Sequence, residues 1–493
     1  MKRILSVVAA ACAVVAVGPL VGAQARSAPV VPGAADGCLP VAGAVCGTLR
    51  VPLVRARPEL GGTTVGYVVI RHRDASRPAK GMIAANPGGP GDSAIASAER
   101  YVRDLGGLLD DHDLLLVDPR GVNRSDPVDC GLTGLPPTRD GFVRAVEACG
   151  RELGPRARGY TSAEVADDID AVRAGLGVAR LDLLGESYGS YLMAVYAKRH
   201  PARVRSMVLS SAFPLDFDMW GRPGARAMRR AIRLLCDNSG DRCDGQRVLR
   251  DSETLAGRLA RRPVTYTTDD GQRRLLDDTS LAVIVFGAAG ASAGFGDVPA
   301  MVRAALRGDH APLVAAARRV GPLSGSSATR QEEQPFNPMH SMALMCNDYP
   351  TLWNRQAPVA ARLRQYAARR RALPVQDFRP FGKRAWTSAA YDRGNTCVRW
   401  PDDGPAQATG GPFPDVPVLV LSGALDPNTP TEEGRQAARQ FRHAAVVEVP
   451  HTGHVPTGEP TRCAAGIQRA FIRDLRVGDT SCLTRIPPVV VRP

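Results

Sequence analysis

The sequence predicts an α/β fold, in which a mostly parallel sheet has helices on both faces and a mainly helical cap interrupts the chain. Three observations carry this prediction. Short apolar runs are each followed at once by loops rich in glycine or proline, which is typical of buried parallel strands. Helical patterns alternate with these runs, as expected for strands joined by crossover helices. Between residues 213 and 396 the strand pattern stops, and it resumes after residue 397.

The predicted strands are runs of β-branched or aliphatic residues bounded by turn residues. Thr161, with Glu164 three residues later, predicts a capping box and a helix through residue 171 that ends near Gly175 or Gly177. Two further helical patterns occupy residues 188–199 and 431–441. The predicted strands are residues 63–70, 82–85, 114–117, 181–184, 207–209, 416–421 and 445–449.

The break in the strand pattern divides the chain into segments. Residues 38–212 and 397–493 carry the strands and form the two parts of one predicted domain. Residues 213–396 are rich in Ala and Arg at helical spacing, so we expect them to form a helical cap over that domain. The sequence contains no visible internal repeat.

The first 25 residues have the composition of an export signal. Lys2 and Arg3 form a basic start, and residues 4–20 are apolar without a charge. Ala23-Gln24-Ala25 supplies a small-x-small cleavage pattern. An uncleaved anchor is the alternative, but the apolar run is short, and no later stretch approaches the ~20 apolar residues that cross a bilayer. We expect cleavage near Ala25, secretion, and no stable membrane association.

Ten cysteines follow the export signal, an even number that is typical of disulfides formed in an oxidising compartment. The remaining one, Cys12, lies within the signal. The close pairs Cys38/Cys46 and Cys236/Cys243 predict local disulfides. A metal site is not indicated, because the sequence has no C-x-x-C pair and no His-rich cluster.

The net charge of +14 raises the alternative of a nucleic-acid partner. The arginines are spread along the chain rather than grouped in one stripe, and the chain contains few lysines. A solvated basic surface is therefore favoured, and we expect no nucleic-acid partner.

A candidate nucleophile lies in Gly185-Glu-Ser-Tyr-Gly189, which fits the pattern G-x-S-x-G between a predicted strand and a predicted helix. Small neighbours allow the strained strand-to-helix turn that exposes a serine hydroxyl above the sheet. An ordinary tight turn is the alternative, but the flanking strand and helix favour a nucleophile elbow. We therefore predict the α/β-hydrolase fold, with Ser187 as the nucleophile.

A serine nucleophile needs a base and an acid that orients it, and in this fold they follow in the order Ser, Asp, His. Asp426 comes shortly after predicted strand 416–421, and His454 shortly after strand 445–449. His451 is a rival for the base. Gly453 favours His454, because a tight turn there would project the imidazole toward the serine. We predict that Asp426 and His454 complete the triad.

The loop Asn86-Pro-Gly-Gly-Pro-Gly91 follows predicted strand 82–85. Its glycines let backbone N–H groups approach a developing oxyanion closely, and its prolines stiffen the loop. We assign the two oxyanion donors to the N–H groups of Gly89 and Tyr188. A phosphate-binding loop would need Lys-Ser/Thr after its last glycine, which is missing here. No cofactor or metal is implied.

These motifs together resemble the secreted tripeptidyl-aminopeptidase-like hydrolases, serine peptidases related to proline iminopeptidase. The resemblance covers nearly all of the chain after the export signal. It implies a helical cap over the site and the removal of short peptides or single residues from N-termini. It rests on Cys46-Gly-Thr-Leu-Arg-Val-Pro-Leu53, Asn86 to Gly91, Asp118-Pro-Arg-Gly121 with Ser125, Gly185 to Gly189, and residues 418–482, which include Asp426, Gly453, His454, Cys463 and Cys482.

The same resemblance implies two long-range disulfides, Cys346–Cys397 and Cys463–Cys482. A further pair, Cys130–Cys149, is predicted from proximity alone.

The sequence also departs from the family pattern. His454 is not followed by the glycine that many members carry, and Glu186 is not a universal residue at its position. Gly185 to Gly189 also resembles serine carboxypeptidases, in which a glutamate there helps to hold the C-terminal carboxylate of the substrate. The loop after Gly91 lacks the cysteine and serines expected in those enzymes.

We expect an exopeptidase that acts at free N-termini of a peptide, or a hydrolase of a small ester substrate. An esterase or lipase is the main alternative because the same triad serves both acyl groups, and a non-catalytic binding protein is disfavoured by the intact triad. A protonated amine needs a carboxylate partner. The candidates are Glu186 and Asp348, then Glu332 and Glu333. The alternative is a structural hydrogen bond for Glu186 and Asp348, and a solvated loop for the other two glutamates.

Overall fold

The structure, a computed structural model, describes most of the chain after the predicted export signal. The signal itself and two candidate acids, Glu332 and Glu333, lie outside the described residues. The described residues are 38–131, 136, 138–269, 271–292, 294–320, 335–390, 393–401 and 412–492.

A mostly parallel sheet forms the centre of the fold. Its strands are β1 (Ala44–Pro52), β2 (Gly62–Ile70), β3 (Gly81–Asn86), β4 (His112–Val117), β5 (Leu181–Glu186), β6 (Val204–Ser210), β9 (Pro417–Gly423) and β10 (His443–Val449). A separate antiparallel hairpin pairs β7 (Val264–Thr267) with β8 (Arg273–Leu276). The sheet order is β1-β2-β4-β3-β5-β6-β9-β10. Strand β2 is antiparallel to both of its neighbours, β1 and β4, and the pairs from β4 to β10 are parallel. This arrangement confirms the predicted α/β-hydrolase fold.

Helices cover both faces of the sheet, and each face has its own cluster of buried apolar side chains. In the part of the chain that the structure describes, no helix has both the length and the apolarity needed to cross a membrane. The helices are α1 (Ala98–Leu105), α2 (Arg139–Leu153), α3 (Ser162–Gly175), α4 (Tyr188–Arg199), α5 (Arg222–Asp237), α6 (Gly245–Arg261), α7 (Asp278–Ala291), α8 (Val298–Leu306), α9 (Ala311–Val320), α10 (Pro338–Asp348), α11 (Val359–Ala372), α12 (Lys383–Ala389), α13 (Thr431–Ala438) and α14 (Cys463–Asp474).

The segment between β6 and β9 contains α5 to α12 and the hairpin β7–β8. We call residues 213–396 the cap, as in the sequence prediction, and its boundaries remain a prediction. The hairpin was not predicted, because its two strands have four residues each and half of their side chains are exposed. Strand β1 was also missed. It lies at the edge of the sheet, where most of its side chains are exposed or half-buried.

The start of α3 shows half of the predicted capping box. The Thr161 hydroxyl accepts the N–H of Glu164 at 3.2 Å, as an N-cap residue should. The Glu164 carboxylate does not reach back to Thr161. It accepts the backbone N–H of Arg55 at 2.9 Å and pairs with the Arg55 guanidinium. A tertiary ion pair therefore takes the place of the local contact.

All five predicted cysteine pairs are bonded in the structure. Three of these disulfides close short segments of the two-part domain, and one lies within α5 and the loop after it. The longest joins α10 of the cap to the residue directly after the cap. The pairs are Cys38–Cys46, Cys130–Cys149, Cys236–Cys243, Cys346–Cys397 and Cys463–Cys482.

The motif Asp118-Pro-Arg-Gly121 has a structural explanation. Arg120 is fully buried, and its Nε and Nη2 donate to the two carboxylate oxygens of Asp168 on α3 at 2.7 and 2.6 Å. Its Nη1 also donates to the carbonyl oxygens of Leu53 and Gly159. A buried charge requires such compensation, so Arg120 joins the loop after β4 to α3 and to the segment after β1.

We predict that Arg120→Met lowers the free energy of unfolding by about 3 kcal/mol, because it removes a buried cationic partner of Asp168. Arg144→Met, on the exposed side of α2, is the matched control and should change stability by less than about 0.5 kcal/mol. Urea unfolding of both variants measures the difference. Equal stabilities would contradict the role assigned to Arg120.

Candidate active site

Ser187 occupies a sharp turn between β5 and α4. Its backbone has φ 54° and ψ −124°, a conformation that residues with a side chain rarely adopt. The Ser187 N–H donates to the carbonyl of Ser210 on the neighbouring strand β6 at 2.9 Å, which holds the turn in place. This is the geometry of a nucleophile elbow, in which strain presents the hydroxyl above the sheet.

The two glycines of the motif are needed for close backbone contacts. A Cβ atom on Gly185 would overlap the carbonyl oxygen of Gly189, and one on Gly189 would overlap the carbonyl oxygen of Asn86. The first contact closes the elbow on itself. The second packs the start of α4 against the end of β3. Neither glycine has a positive φ. Glycine is needed at both positions because there is no room for a Cβ atom, and not because of its backbone freedom.

Asp426 and His454 lie together after β9 and β10. The His454 Nδ1 is 2.8 Å from Oδ2 of Asp426, and Asp426 is fully buried. Burial raises the pKa of the Asp426 carboxyl, but the adjacent His454, the Thr429 hydroxyl and the Asn428 N–H outweigh it, so the pKa lies below its ordinary value. Asp426 is thus held as an anion beside the imidazole. His451 is not in this pair, although it lines the same cavity.

Residues of the cap hold the loop that carries His454. The His454 N–H donates to the carbonyl of Gly290 at 2.6 Å, and the Gly453 N–H donates to the Ser292 hydroxyl at 2.7 Å. Gly453 does not make the expected tight turn through a positive φ, which occurs instead at His451 and Val455. Its small size matters because a Cβ there would overlap the carbonyl of Gly290.

Two further residues form hydrogen bonds with Asp426 and were missed by sequence reasoning. The Ser211 hydroxyl donates to Asp426 Oδ2 at 3.2 Å and accepts the N–H of Val455 at 2.7 Å. The Thr429 hydroxyl donates to the same carboxylate oxygen at 2.7 Å. The only sequence feature that could have indicated the role of Ser211 is its position directly after β6. For Thr429, that feature is its closeness to Asp426 in the sequence.

The loop after β3 lies beside Ser187, as the oxyanion assignment requires. A Cβ on Gly88 would be 3.0 Å from Ser187 Cβ and 3.1 Å from the Tyr188 nitrogen. The Gly88 N–H is used internally, because it donates to Asn86 Oδ1 at 3.1 Å. Within the described part of the chain, the N–H groups of Gly89 and Tyr188 donate to no protein acceptor. Both remain available to a ligand.

A cavity of about 580 Å³ opens above the elbow. Ser187, His454 and Gly89 line it together with Gly290 and Phe336 from the cap. The sequence-predicted nucleophile, base and oxyanion loop therefore share one cavity, and the cap contributes to its wall. An acyl group held there would be within reach of a serine, an imidazole and two backbone donors.

Glu186 lines the cavity, but its carboxylate already has charged partners. Nη1 and Nη2 of Arg100 donate to its two oxygens at 3.1 and 2.6 Å, and the Tyr101 hydroxyl donates to Oε2 at 3.2 Å. Thr457 adds a longer contact of 3.5 Å. An amine bound by Glu186 would have to share it with Arg100.

Asp348 does not belong to the cavity. It lies at the end of α10, is almost fully buried, and accepts the N–H of Ser162 at the start of α3 at 2.5 Å. Its carboxylate therefore caps a helix, which is the structural role given as its alternative. Burial raises the pKa of Asp348 to about 6, although the Ser162 hydrogen bond opposes the shift.

Two segments of the chain match known protein families. Residues 85–229 match the family described as alpha/beta hydrolase fold, and residues 383–482 match the family described as TAP-like protein. Serine protease Hip1 of Mycobacterium tuberculosis is 33% identical over 196 residues, which are 36% of this chain and 37% of that protein. Tripeptidyl aminopeptidase of Streptomyces lividans is 31% identical over 186 residues, 34% of this chain and 35% of that protein. These alignments thus span only about a third of each relative.

Other matches extend over most of the chain at lower identity. Carboxylesterase B of Mycobacterium tuberculosis is 26% identical over 475 residues, 88% of this chain and 85% of that protein. The solved structure of proline iminopeptidase from Mycobacterium smegmatis is 15% identical, with a TM-score of 0.34, and covers 84% of this chain and 95% of that one.

The sheet topology and the match of residues 85–229 define a protein of the α/β-hydrolase fold. Within this class, the match of the C-terminal segment to the TAP-like family confirms the predicted resemblance to the tripeptidyl-aminopeptidase-like hydrolases.

The buried carboxyl of Asp348 gives a prediction about pH. Its pKa is about 6 in the folded chain and ~3.9 when unfolded, so its contribution to stability is lost as the pH rises from about 4 to 6. Asp348→Asn cannot ionise, and its side-chain oxygen can still accept the Ser162 N–H. The stability of the variant relative to wild type should therefore increase by roughly 2–3 kcal/mol between pH 4 and pH 7. Urea unfolding across this range would contradict the account if the difference were independent of pH.

Proposed function

We propose that this protein is a secreted serine exopeptidase that releases short peptides or single residues from free N-termini through an acyl-enzyme. The observation that carries the proposal is the meeting of Ser187, the Asp426–His454 pair and the Gly89 loop at one cavity. The names of two relatives, serine protease Hip1 and tripeptidyl aminopeptidase, support peptide substrates. Five disulfides support an oxidising, extracellular location.

The proposed reaction follows from the roles of these groups. His454 accepts the proton of the Ser187 hydroxyl, whose oxygen attacks the carbonyl carbon of the scissile bond. Asp426 holds the imidazole through Nδ1 and stabilises the cation that forms. The N–H groups of Gly89 and Tyr188 stabilise the oxyanion. His454 then protonates the leaving amine, and a water molecule activated by the same imidazole hydrolyses the acyl-enzyme.

The carboxylate that would recognise a free amine is proposed to be Glu186. Of the two described candidates, Glu186 lines the cavity directly before the nucleophile, whereas Asp348 lies away from it and caps α3. Arg100 neutralises part of the charge of Glu186 and also pairs with the nearby Asp104. An amine bound at Glu186 would be a second cation beside Arg100, so the cluster would contain two cations and two carboxylates. Such charge-assisted contacts are strong when shielded from water.

An esterase is the second candidate function. It is favoured by the relative named carboxylesterase B, which aligns with 88% of this chain. The same serine, imidazole and oxyanion donors serve an ester as well as an amide, because both pass through a tetrahedral oxyanion. Only recognition of the amine separates the two functions.

We predict that a short peptide amide with a free N-terminus is cleaved at least about tenfold faster than its N-acetylated form, because one charge-assisted contact is lost on acetylation. Glu186→Gln should remove this ratio while cleavage of an acyl ester without an amine is retained. Ser187→Ala controls for contaminating activity. Equal kcat/KM for the free and acetylated peptides would replace the exopeptidase with the esterase function. Parallel loss of peptide and ester cleavage in Glu186→Gln would assign that residue a structural role only.

A further inference from the structure

The ring nitrogen of His454 that should face the nucleophile has another partner in the structure. Nε2 of His454 is 3.4 Å from Nδ2 of Asn428, which is hydrogen-bond distance. Within the described part of the chain, the two ring nitrogens contact Asn428, Thr429 and Asp426, and neither is hydrogen-bonded to the Ser187 hydroxyl. The imidazole is therefore engaged by an amide and is not yet engaged by the proposed nucleophile.

The tautomer of His454 gives this contact its direction. Nδ1 lies 2.8 Å from the carboxylate of Asp426, which is held as an anion, so Nδ1 carries the hydrogen of the neutral ring. Nε2 is then an acceptor, and the amide N–H of Asn428 is the donor. A rotated amide would bring its oxygen against the Nε2 lone pair, and this fixes which end of the amide faces the ring.

The backbone of Asn428 is held on both sides of this side chain. Its N–H donates to Oδ1 of Asp426 at 2.8 Å, and its carbonyl accepts Nη2 of Arg393 at 3.0 Å. Arg393 is buried and lies near the end of the cap. Because both backbone groups are anchored, the half-buried amide is brought to the imidazole by tertiary structure.

The contact occupies the lone pair that the proposed reaction needs. A general base has to accept the serine proton at Nε2, and it cannot do so while the same lone pair accepts the amide N–H of Asn428. Catalytic hydrogen bonds are often long before substrate binds and tighten in the complex. In this chain a competing donor is present in the meantime. At 3.4 Å its hydrogen bond is long, and therefore weak enough to be exchanged.

We propose that Asn428 is a positioning residue that holds His454 in a resting orientation and competes with Ser187 for Nε2. The inference rests on the triad roles in the proposed function, and it is independent of which acyl compound is cleaved. When a substrate binds, the contact with Asn428 is exchanged for the contact with Ser187. The unoccupied enzyme therefore reacts more slowly than an enzyme that lacks the amide.

Such competition has a quantitative signature in the pH profile. If the amide lowers the population of reactive imidazole by a factor F, its removal raises the rate above the acidic limb by F. The amide also stabilises the neutral ring against protonation, so its removal moves the midpoint of that limb to higher pH by log F. Well below the limb the two effects cancel. One neutral hydrogen bond corresponds to a factor F of about 2–10, and hence to a shift of about 0.3–1 pH unit.

Other titratable groups lie near the imidazole, and the comparison of variants keeps them constant. Besides Asp426, the groups on the cavity wall are three arginines from α1 and the start of α14, His451, and the carboxylates of Asp92, Asp104, Glu186 and Glu459. The end of α7, which holds the His454 backbone, contributes Gly290, Ala291 and Ser292, which do not titrate. A shift of the midpoint on substitution of Asn428 therefore reports the loss of its amide.

The test is the second-order rate constant for reaction with a fluorophosphonate, measured from about pH 5 to about pH 9, which brackets the ordinary titration of an imidazole. Asn428→Leu has a side chain of similar size without a donor, and Asn428→Ala excludes crowding of the ring. Both keep the two backbone contacts, so folding should be preserved. Each should react about 2–10-fold faster than wild type at the upper end of the range and equally fast at the lower end.

The matched control is Asn238→Ala, at an exposed position after α5, which should have the profile of wild type. An unchanged midpoint in both Asn428 variants, or a uniform loss of rate at every pH, would overturn the proposal and leave Asn428 a structural role. A midpoint at lower pH would also contradict it, because the amide oxygen would then be stabilising the protonated ring. Absence of any reaction at Ser187 in wild type would overturn the proposed function itself, and the competition with it.

Discussion

The strained turn at Ser187 is the constraint on which the rest of the site depends. A serine at φ 54° needs close packing around it to stay in that conformation, and the structure supplies it through two glycines that touch backbone. Gly185 lies against Gly189, and Gly189 lies against Asn86 at the end of β3. The contact with Asn86 also brings the predicted oxyanion loop beside Ser187. One steric requirement thus positions two of the four elements of the site.

The other two elements depend on the cap as well as on the sheet. Strands β9 and β10 bring Asp426 and His454 together, but the backbone of His454 is held by Gly290 at the end of α7. A change in the position of α7 would therefore move the imidazole. The cap is a structural part of the site, because its residues hold the loop of His454 although they lie in sequence between Ser187 and the predicted triad partners Asp426 and His454.

Much of this arrangement could be predicted from the sequence, because its signals are local. The apolar strands, the motif around Ser187 and the order of Asp426 and His454 follow from patterns within a few residues. Contacts between distant segments were not accessible in this way. Arg55 competes for Glu164 from 109 positions away, and Ser211 reaches Asp426 from 215 positions away. The pairing of Glu186 with Arg100 likewise depends on tertiary packing. Only the structure distinguishes Glu186 from Asp348 as the candidate partner of a substrate amine.

The central claim, that Ser187 is activated by His454 through the strained elbow, can be tested by the intact mass of the protein after reaction with a fluorophosphonate. Wild type and His451→Gln should gain one adduct, located on Ser187 by peptide mapping. Ser187→Ala should gain none, and His454→Gln should react about 10²–10⁴-fold more slowly, because the general base is missing. An adduct on Ser187→Ala, or an equal loss of rate in His451→Gln and His454→Gln, would contradict the account.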